Sequence, residues 1–181
     1  AVMPNQSRVC PARRAAFVTF RSWVMLATIA RKMSGTPATF SIGVGVNPDA
    51  PDREGELARF ERKVEAGAEW AVTQSVFDAE GLFRFLELAD RRGIPVIAGL
   101  WPLKSLRNAQ FMATEIPGVH MPPVILERMG RWAKAEDQLQ EGVAITWEIL
   151  GAVKGSVAGI QLSAPFGQVE LVAPFLPGAG Q

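Results

Sequence analysis

Cysteine is almost absent. Cys10 is the only one, so no internal disulfide framework can form, and the composition fits a reducing compartment, the cytoplasm. Cys10 itself reads as an incidental thiol rather than a nucleophile. Histidine is as scarce: His120 has no cysteine or second histidine at ligand spacing, which argues against a zinc site and leaves a loop residue beside Pro122 and Pro123. Long apolar runs are missing too. The best, at 15–30, is interrupted by Arg21, so no stretch offers the 18 or so uncharged apolar residues of a membrane span. Acidic residues are missing from residues 1–48, which carry Arg8, Arg13, Arg14, Arg21, Arg31 and Lys32, whereas residues 49–181 hold 13 basic and 18 acidic side chains. That mildly acidic part offers no basic surface for nucleic acid. An arginine-rich, acid-free start suits a nucleic-acid arm or a transit peptide. The change in composition at Thr39 favours instead a segment outside the ancestral fold, such as an altered reading frame or a truncated neighbour. The expected organisation is therefore a separate segment at 1–38, a folded domain at 39–175 and a short tail at 176–181.

What is present from Phe40 onward is an alternation of short apolar runs with helical patterns, the mark of βα units around a parallel sheet. A strand is predicted at 41–46, ending at Asn47-Pro48 because the residue before proline is pushed out of helical geometry. A helix at 52–66 places Leu57, Phe60 and Val64 on one face. A strand at 70–74 follows, then a helix capped by Asp78, with Leu82, Phe85, Leu86 and Ala89 facing inward and Gly93 stopping it. The third strand is 95–100. Helices are predicted at 105–114, 122–130 and 135–154, the last carrying Leu139, Val143, Ile149 and Val153, before a fourth strand at 157–162. Four βα units make half of an eight-stranded barrel, and 181 residues fall short of the about 250 that a closed one needs. Ile42, Val44, Val72, Val96, Ile97 and Ile160 are expected on its inner face, and the two open sheet edges call for a partner.

Three segments in fixed order carry more: FSIGVGVNP at 40–48, KVEAGAEWAVTQ at 63–74 and AGLWPLKSLRNAQFM at 98–112, with SAPFG at 163–167. Together they resemble methylenetetrahydrofolate reductase over about residues 39–171. The resemblance is to the second half of the family's flavin-binding (β/α)8 TIM barrel, in the form of the bifunctional bacterial enzymes that also carry a homocysteine S-methyltransferase domain. The first half of that barrel has no counterpart in the motifs.

Active sites of such barrels lie at the carboxyl ends of the strands. That criterion selects Asn47, Gln74, Trp101 with the 104–112 turn, and 163–168. Gln74 offers an acceptor and a donor, the pair needed to read a pterin edge; a structural partner for backbone groups is the other reading, and the resemblance favours folate. Glu56, Arg59, Arg62 and Lys63 share a helix and read either as a solvated, ion-paired face or as donors to a diphosphate. The resemblance implies FAD contacts at Asn47, Glu56, Arg59, Arg62 and Lys63, Lys63 foremost. In the 104–112 turn, Leu106 and Met112 beside Asn108 could pack a flat ring or form a helix capped by Ser105 with an apolar core side. The family uses this helix to wall the folate site. SAPFG normally runs on into an arginine that contacts the folate; here Gln168 stands there, without the charge and the fork.

The resemblance implies NAD(P)H-driven, FAD-dependent reduction of 5,10-methylenetetrahydrofolate to 5-methyltetrahydrofolate, part of methionine and one-carbon metabolism. The family's general acid lies in the first barrel strand, and residues 1–38 contain no Asp or Glu to replace it. No catalytic residue is therefore assigned to this chain, which is expected to be inactive alone. Two functions compete: half of a reductase completed by a missing barrel half, or a non-catalytic half-barrel that self-associates.

Overall fold

The computed structural model describes residues 41–176, so the expectations for residues 1–40 and 177–181 lie outside the described residues. The order is β1 (Gly43–Val46), α1 (Arg53–Glu65), β2 (Trp70–Ser75), α2 (Ala79–Arg91), β3 (Val96–Leu100), α3 (Leu106–Glu115), α4 (Pro123–Gly130), α5 (Ala135–Val153) and β4 (Gly159–Leu162). Three single 3-10 turns follow, between residues 165 and 175. The helices begin where a side chain satisfies an orphan amide. Asp52 accepts from Gly55 N–H at 2.9 Å, Asp78 from Glu80 N–H at 3.0 Å and Ser105 from Asn108 N–H at 3.1 Å. Gly93, at φ 65°, ends the turn after α2 in a conformation that disfavours a Cβ.

The four strands are all parallel and adjacent in chain order, β1-β2-β3-β4. Parallel neighbours need crossovers, and crossovers of one hand in one direction put the helices that pack on the sheet, α1, α2 and α5, on the same face. The result is an α/β fold wound on one side, a segment of a (β/α)8 barrel of about four βα units. The main core lies between that face and the helices. Val44, Val46, Ala71, Val96, Ala98 and Leu100 meet Phe60 of α1, Leu82, Phe85, Leu86 and Ala89 of α2, and Val153 of α5. The Phe60 and Phe85 rings meet edge to face at 5.0 Å. A second cluster, Leu103, Ala109, Met112, Met121, Ile125, Met129 and Ile145, holds α3, α4 and α5 together. Arg128 of α4 clamps Glu148 of α5 with two hydrogen bonds of 2.6 and 2.8 Å and gives a third to Glu141.

The six residues expected on one inner face divide between two. Register pairs Val44 with Ala71 and Ala71 with Val96, and Ala98 with Ile160, on the helix-covered face; Val72 pairs with Ile97 on the other. Ile42 precedes β1. The period of two decides this, because neighbours one residue apart cannot share a face. The inner face is lined instead by Gly43, Gly45, Trp70, Val72, Gln74, Ile97, Gly99, Gly159 and Gln161. The stripe of α5 is also displaced: Gly142, Ile145, Thr146 and Val153 are buried, while Leu139, Val143 and Ile149 are half-buried. The cause is a close approach. A Cβ on Gly142 would lie 1.8 Å from the carbonyl oxygen of Leu103, so α5 turns its smallest residue toward the segment after β3.

Two glycines of α5 should therefore answer substitution with opposite signs. Gly142→Ala forces the helix off Leu103 and is expected to destabilise the fold by about 1–3 kcal/mol. At Gly151 nothing lies within 4 Å of the added methyl, so Gly151→Ala should gain about 0.4–1 kcal/mol. Urea denaturation midpoints at unchanged m-value measure both.

Candidate functional site

At the carboxyl end of the sheet the β2–β3 ladder slips between Val72 and Ser75, so that Ser75 rather than Gln74 pairs with Gly99. A slip of this kind adds a residue on one strand and re-aims the side chains beside it. The amide of Gly99 is taken up by Thr73 Oγ1 at 2.9 Å in a buried bond. Gly99 has to be bare: a Cβ there would sit 2.7 Å from Thr73 O and 3.3 Å from Gln161 Oε1. These features open a groove of ≈ 180 Å³ above the inner face, with Gln74, Ser75 and Gln161 as its polar side and Trp101, Phe111, Met112, Ile116 and Phe166 as its apolar side. No lining residue carries a charge.

The structure brings Gln74 and Met112 together in this groove. Gln74 is held lightly: its Nε2 lies 3.4 Å from Pro117 O and its Oε1 3.4 Å from Ser75 N, both beyond the usual hydrogen-bond range. Asn108 stands one turn before Met112 on α3, is buried, and accepts from Lys104 N–H through Oδ1 at 3.3 Å, while its Nδ2 has no acceptor. The indole Nε1 of Trp101 is likewise buried without an acceptor. Buried donors of this kind are rare and ask for a partner. Gln168 does not line the groove; it is exposed at the rim, where its Oε1 accepts from Lys104 Nζ at 3.1 Å. Ser163 and Phe166 line the groove and fall within the 163–168 segment that the strand-end rule selects, whereas Gln161 lies outside every selected position. Gln161 needed the register of β4, which its apolar flanks do not reveal.

The second group, Asn47, Glu56, Arg59, Arg62 and Lys63, lies along the outer edge of β1. Lys63 Nζ donates to Gly45 O at 2.7 Å, and Glu56 accepts from Asn47 N–H at 3.0 Å and from Arg59 Nε at 2.8 Å. Ile42 O faces β2 by accepting from Glu69 N–H, so by alternation the polar groups of Gly45 and Asn47 point away from β2. α1 thus satisfies edge groups that the ladder leaves unpaired. Burial lowers the Lys63 pKa, with Glu56 acting in the opposite sense. Asn47 gives Nδ2–H to Gly118 O at 2.7 Å and takes Asp49 N–H at 3.3 Å, so both ends of its amide serve the fold. Arg62 is exposed. The Ile116–Val119 turn, which receives Asn47 at Gly118 and Gln74 at Pro117, joins the two groups. Among the described residues no cluster of three or more His, Cys, Asp or Glu is placed to hold a metal, and no helix is long and apolar enough to cross a membrane.

A one-sided parallel sheet with an amide-and-aromatic groove at its carboxyl edge is the arrangement of a barrel-type protein, and the groove has the shape and lining to admit a flat ligand. Residues 24–161 match the family model described as methylenetetrahydrofolate reductase, and the chain belongs to that family. The match begins upstream of the quoted motifs. The 5,10-methylenetetrahydrofolate reductase of Escherichia coli (strain K12) is 35% identical over 91 residues, covering 47% of this chain and 30% of that protein. The enzyme of Buchnera aphidicola is 30% identical over 83 residues, covering 42% and 28%. The aligned stretch thus spans less than a third of either relative. Among solved structures, an uncharacterized protein from Clostridium thermocellum, described as binding two copies of 5-methyl-5,6,7,8-tetrahydrofolic acid, superposes with a TM-score of 0.59 at 17% identity over 82% of this chain and 54% of that one. At that identity the likeness is one of fold.

Two outcomes test this geometry. Thr73→Val keeps the shape but leaves the buried Gly99 amide unpaired, and should cost about 1–3 kcal/mol in denaturation, with Thr73→Ser recovering most of it. Asp49, in the turn after β1, has its pKa raised by burial and then by the nearby Asp78, against opposing effects of His120, Arg84 and Arg53. A carboxyl raised on folding is harmless while protonated and costs stability once pH rises through its folded value. Asp49→Asn should therefore stabilise the protein at pH 7 and lose that advantage below the ordinary aspartate range, as read by thermal melts across pH.

Proposed function

We propose that the groove receives a reduced folate and that the chain contributes this half of a methylenetetrahydrofolate reductase site, in which 5,10-methylenetetrahydrofolate becomes 5-methyltetrahydrofolate with FAD as carrier and NAD(P)H as reductant. The observation that carries the reading is Gln74: an amide with long contacts at both ends, lining an uncharged groove together with Trp101 and Met112. A pterin edge presents alternating donors and acceptors, which a loosely held amide can meet without first breaking a strong internal bond. The orphan indole N–H of Trp101, a lining residue, supports the same reading, as does the folate bound by the Clostridium thermocellum protein of similar fold.

For FAD, the arrangement at the β1 edge fits in charge. Lys63 is fixed at Gly45 O next to the exposed Arg62 on the same helical turn, a pair suited to a diphosphate. Arg59 is already neutralised by Glu56 and Asp52. The flavin supplies the hydride chemistry when bound, and the chain's own part is to bind and orient the folate and to keep its ring in an apolar trough. No carboxyl group lines the groove, so none of its lining residues is assigned as the acid that opens the folate's imidazolidine ring. The motif wording favours the bifunctional homocysteine S-methyltransferase type, acting in the cytoplasm. The proposed domain runs from about 39 to 175, and the family match extends upstream of it to residue 24.

A second reading, a non-catalytic half-barrel that pairs with a copy of itself, rests on the inner row Gly45, Val72, Ile97 and Gly159, on which no described helix packs. A closing set of strands suits either reading, whether from a missing barrel half or from a second copy. Folate binding separates them. Calorimetric titration of the 181-residue chain with 5-methyltetrahydrofolate should show binding that weakens about ten- to a hundredfold in Gln74→Ala, the equivalent of about 1–3 kcal/mol, with little change in stability. If Gln74→Ala lowers the melting temperature and leaves the affinity intact, Gln74 is a structural residue and the folate reading fails.

A further inference from the structure

Adjacent carbonyls of the turn after α3 meet side chains from two different strands. The turn is closed by Val119 N–H on Ile116 O at 3.2 Å, with Pro117 in its second place and Gly118 in its third at φ 83°, the residue pattern of a type II turn. Gly118 O takes Asn47 Nδ2–H at 2.7 Å across 71 residues, while Pro117 O lies 3.4 Å from Gln74 Nε2. One bond is short and the other is scarcely made. The two acceptors sit on consecutive residues, so whatever fixes the first constrains the second.

Asn47 is the rigid end of this contact. Its backbone N–H donates to Glu56 Oε1 at 3.0 Å and its Oδ1 accepts Asp49 N–H at 3.3 Å, while Pro48 restricts its backbone. A donor on one side and an acceptor on the other also fix which end of the amide is the nitrogen. The turn is the yielding end. α3 stops at Ile116 in extended backbone, φ −96° and ψ 108°, rather than in a helical cap, and Gly118 admits conformations closed to other residues. A Cβ on Gly118 would lie 2.6 Å from Asn47 Nδ2, so the amide lies hard against the turn. Ile116 opens that turn and lines the groove, as do Phe111 and Met112 before it on α3. The anchor on β1 therefore sets the place of the groove's apolar wall.

We propose that Asn47 is a positioning residue for the groove: by holding Gly118 O it keeps Pro117 O just beyond the reach of Gln74, and so leaves the Gln74 amide open to the ligand. The inference rests on the folate reading of the groove and names what keeps that amide unsatisfied. With the anchor removed, Gly118 O loses its donor and the turn can relax, leaving neighbouring carbonyls short of a partner. Gln74 Nε2 is the donor already beside them. A small shift would turn its 3.4 Å contact into an ordinary hydrogen bond, and a ligand would have to break that bond before meeting the amide. Asn47 touches no ligand in this role.

The test reads the side-chain amide signals of the isotope-labelled 181-residue chain by nuclear magnetic resonance. In the parent, the Gln74 amide pair, identified by its loss in Gln74→Ala, should exchange rapidly with water and shift when 5-methyltetrahydrofolate is added. In Asn47→Ala it should take the position of a bonded amide and exchange slowly before any ligand is present; Asn47→Asp, of the same size but without a donor, should do the same. Calorimetric titration should show 5-methyltetrahydrofolate binding weakened about threefold to tenfold by Asn47→Ala, but by less than about twofold in the Gln74→Ala background, since the two residues act through one contact. A Gln74 signal unmoved in both Asn47 variants overturns the proposal and leaves the folate reading standing, as does an equal loss of affinity in the two backgrounds. A parent that does not bind 5-methyltetrahydrofolate overturns the folate reading and this inference with it.

Discussion

The direction of winding governs most of what this chain can do. Four parallel strands joined in order by crossovers of one hand can carry helices on one face only, so Val44, Ala71, Val96 and Ala98 find a complete core against α1, α2 and α5, while the opposite face receives no helix from the described residues. A two-sided sheet would have buried Val72 and Ile97 as well and would have left no trough at its carboxyl edge. The inner face is instead populated by small or amphipathic residues: four glycines, two glutamines and a tryptophan whose ring lies across Gly43. These residues tolerate an environment that is neither core nor open water, and they leave room for flat ligands and closing strands.

Within that frame the site depends on one register slip. At the slip between Val72 and Ser75, Thr73 turns its hydroxyl to the Gly99 amide and Gln74 is freed from strong bonds. Stability and the proposed ligand contact fall to adjacent residues here: Thr73 and Gly99 satisfy the backbone so that Gln74 need not. The turn at 116–119 plays a similar part, since Gly118, at φ 83°, accepts Asn47 where a Cβ would meet that amide at 2.6 Å. A single short loop thereby ties the ends of β1 and β2 to α3, and any motion of α3 reaches both the groove and the β1 edge.

The elements themselves were legible because each has local chemistry that agrees with its period: Asp52, Asp78 and Ser105 as caps, Gly93 as a stop, and Leu82, Phe85, Leu86 and Ala89 as an inward stripe. Strand faces were less legible. Runs such as Val96-Ile97-Ala98 are apolar throughout, and only pairing with Ala71 and Gly159 decides which residue looks where. The α5 stripe was misread for a related reason, since Gly142 contributes nothing to an apolar pattern yet marks the closest helix contact. Of the site, Gln74 and Met112 followed from strand-end position and motif. Phe166 followed from the selected 163–168 segment, but not its left-handed turn; Gln161 did not follow, because the register that sets it beside Gly99 leaves no trace in local spacing.

The charged residues of α1 show how a motif can hold two meanings at once. Lys63 and Glu56 bond to the edge of β1, and an edge strand with its polar groups satisfied by side chains is a poor template for indiscriminate pairing. Were a further strand to pair with β1 there, it would have to displace an ammonium and a carboxylate from partly buried positions, which only a closely matched partner can compensate. The same two side chains stand beside the exposed guanidinium of Arg62, where an anionic group could compete for the ammonium without disturbing the ladder. On the proposed cofactor reading, edge protection and anion binding would draw on one set of atoms, so that a strand and a diphosphate would compete for the β1 edge.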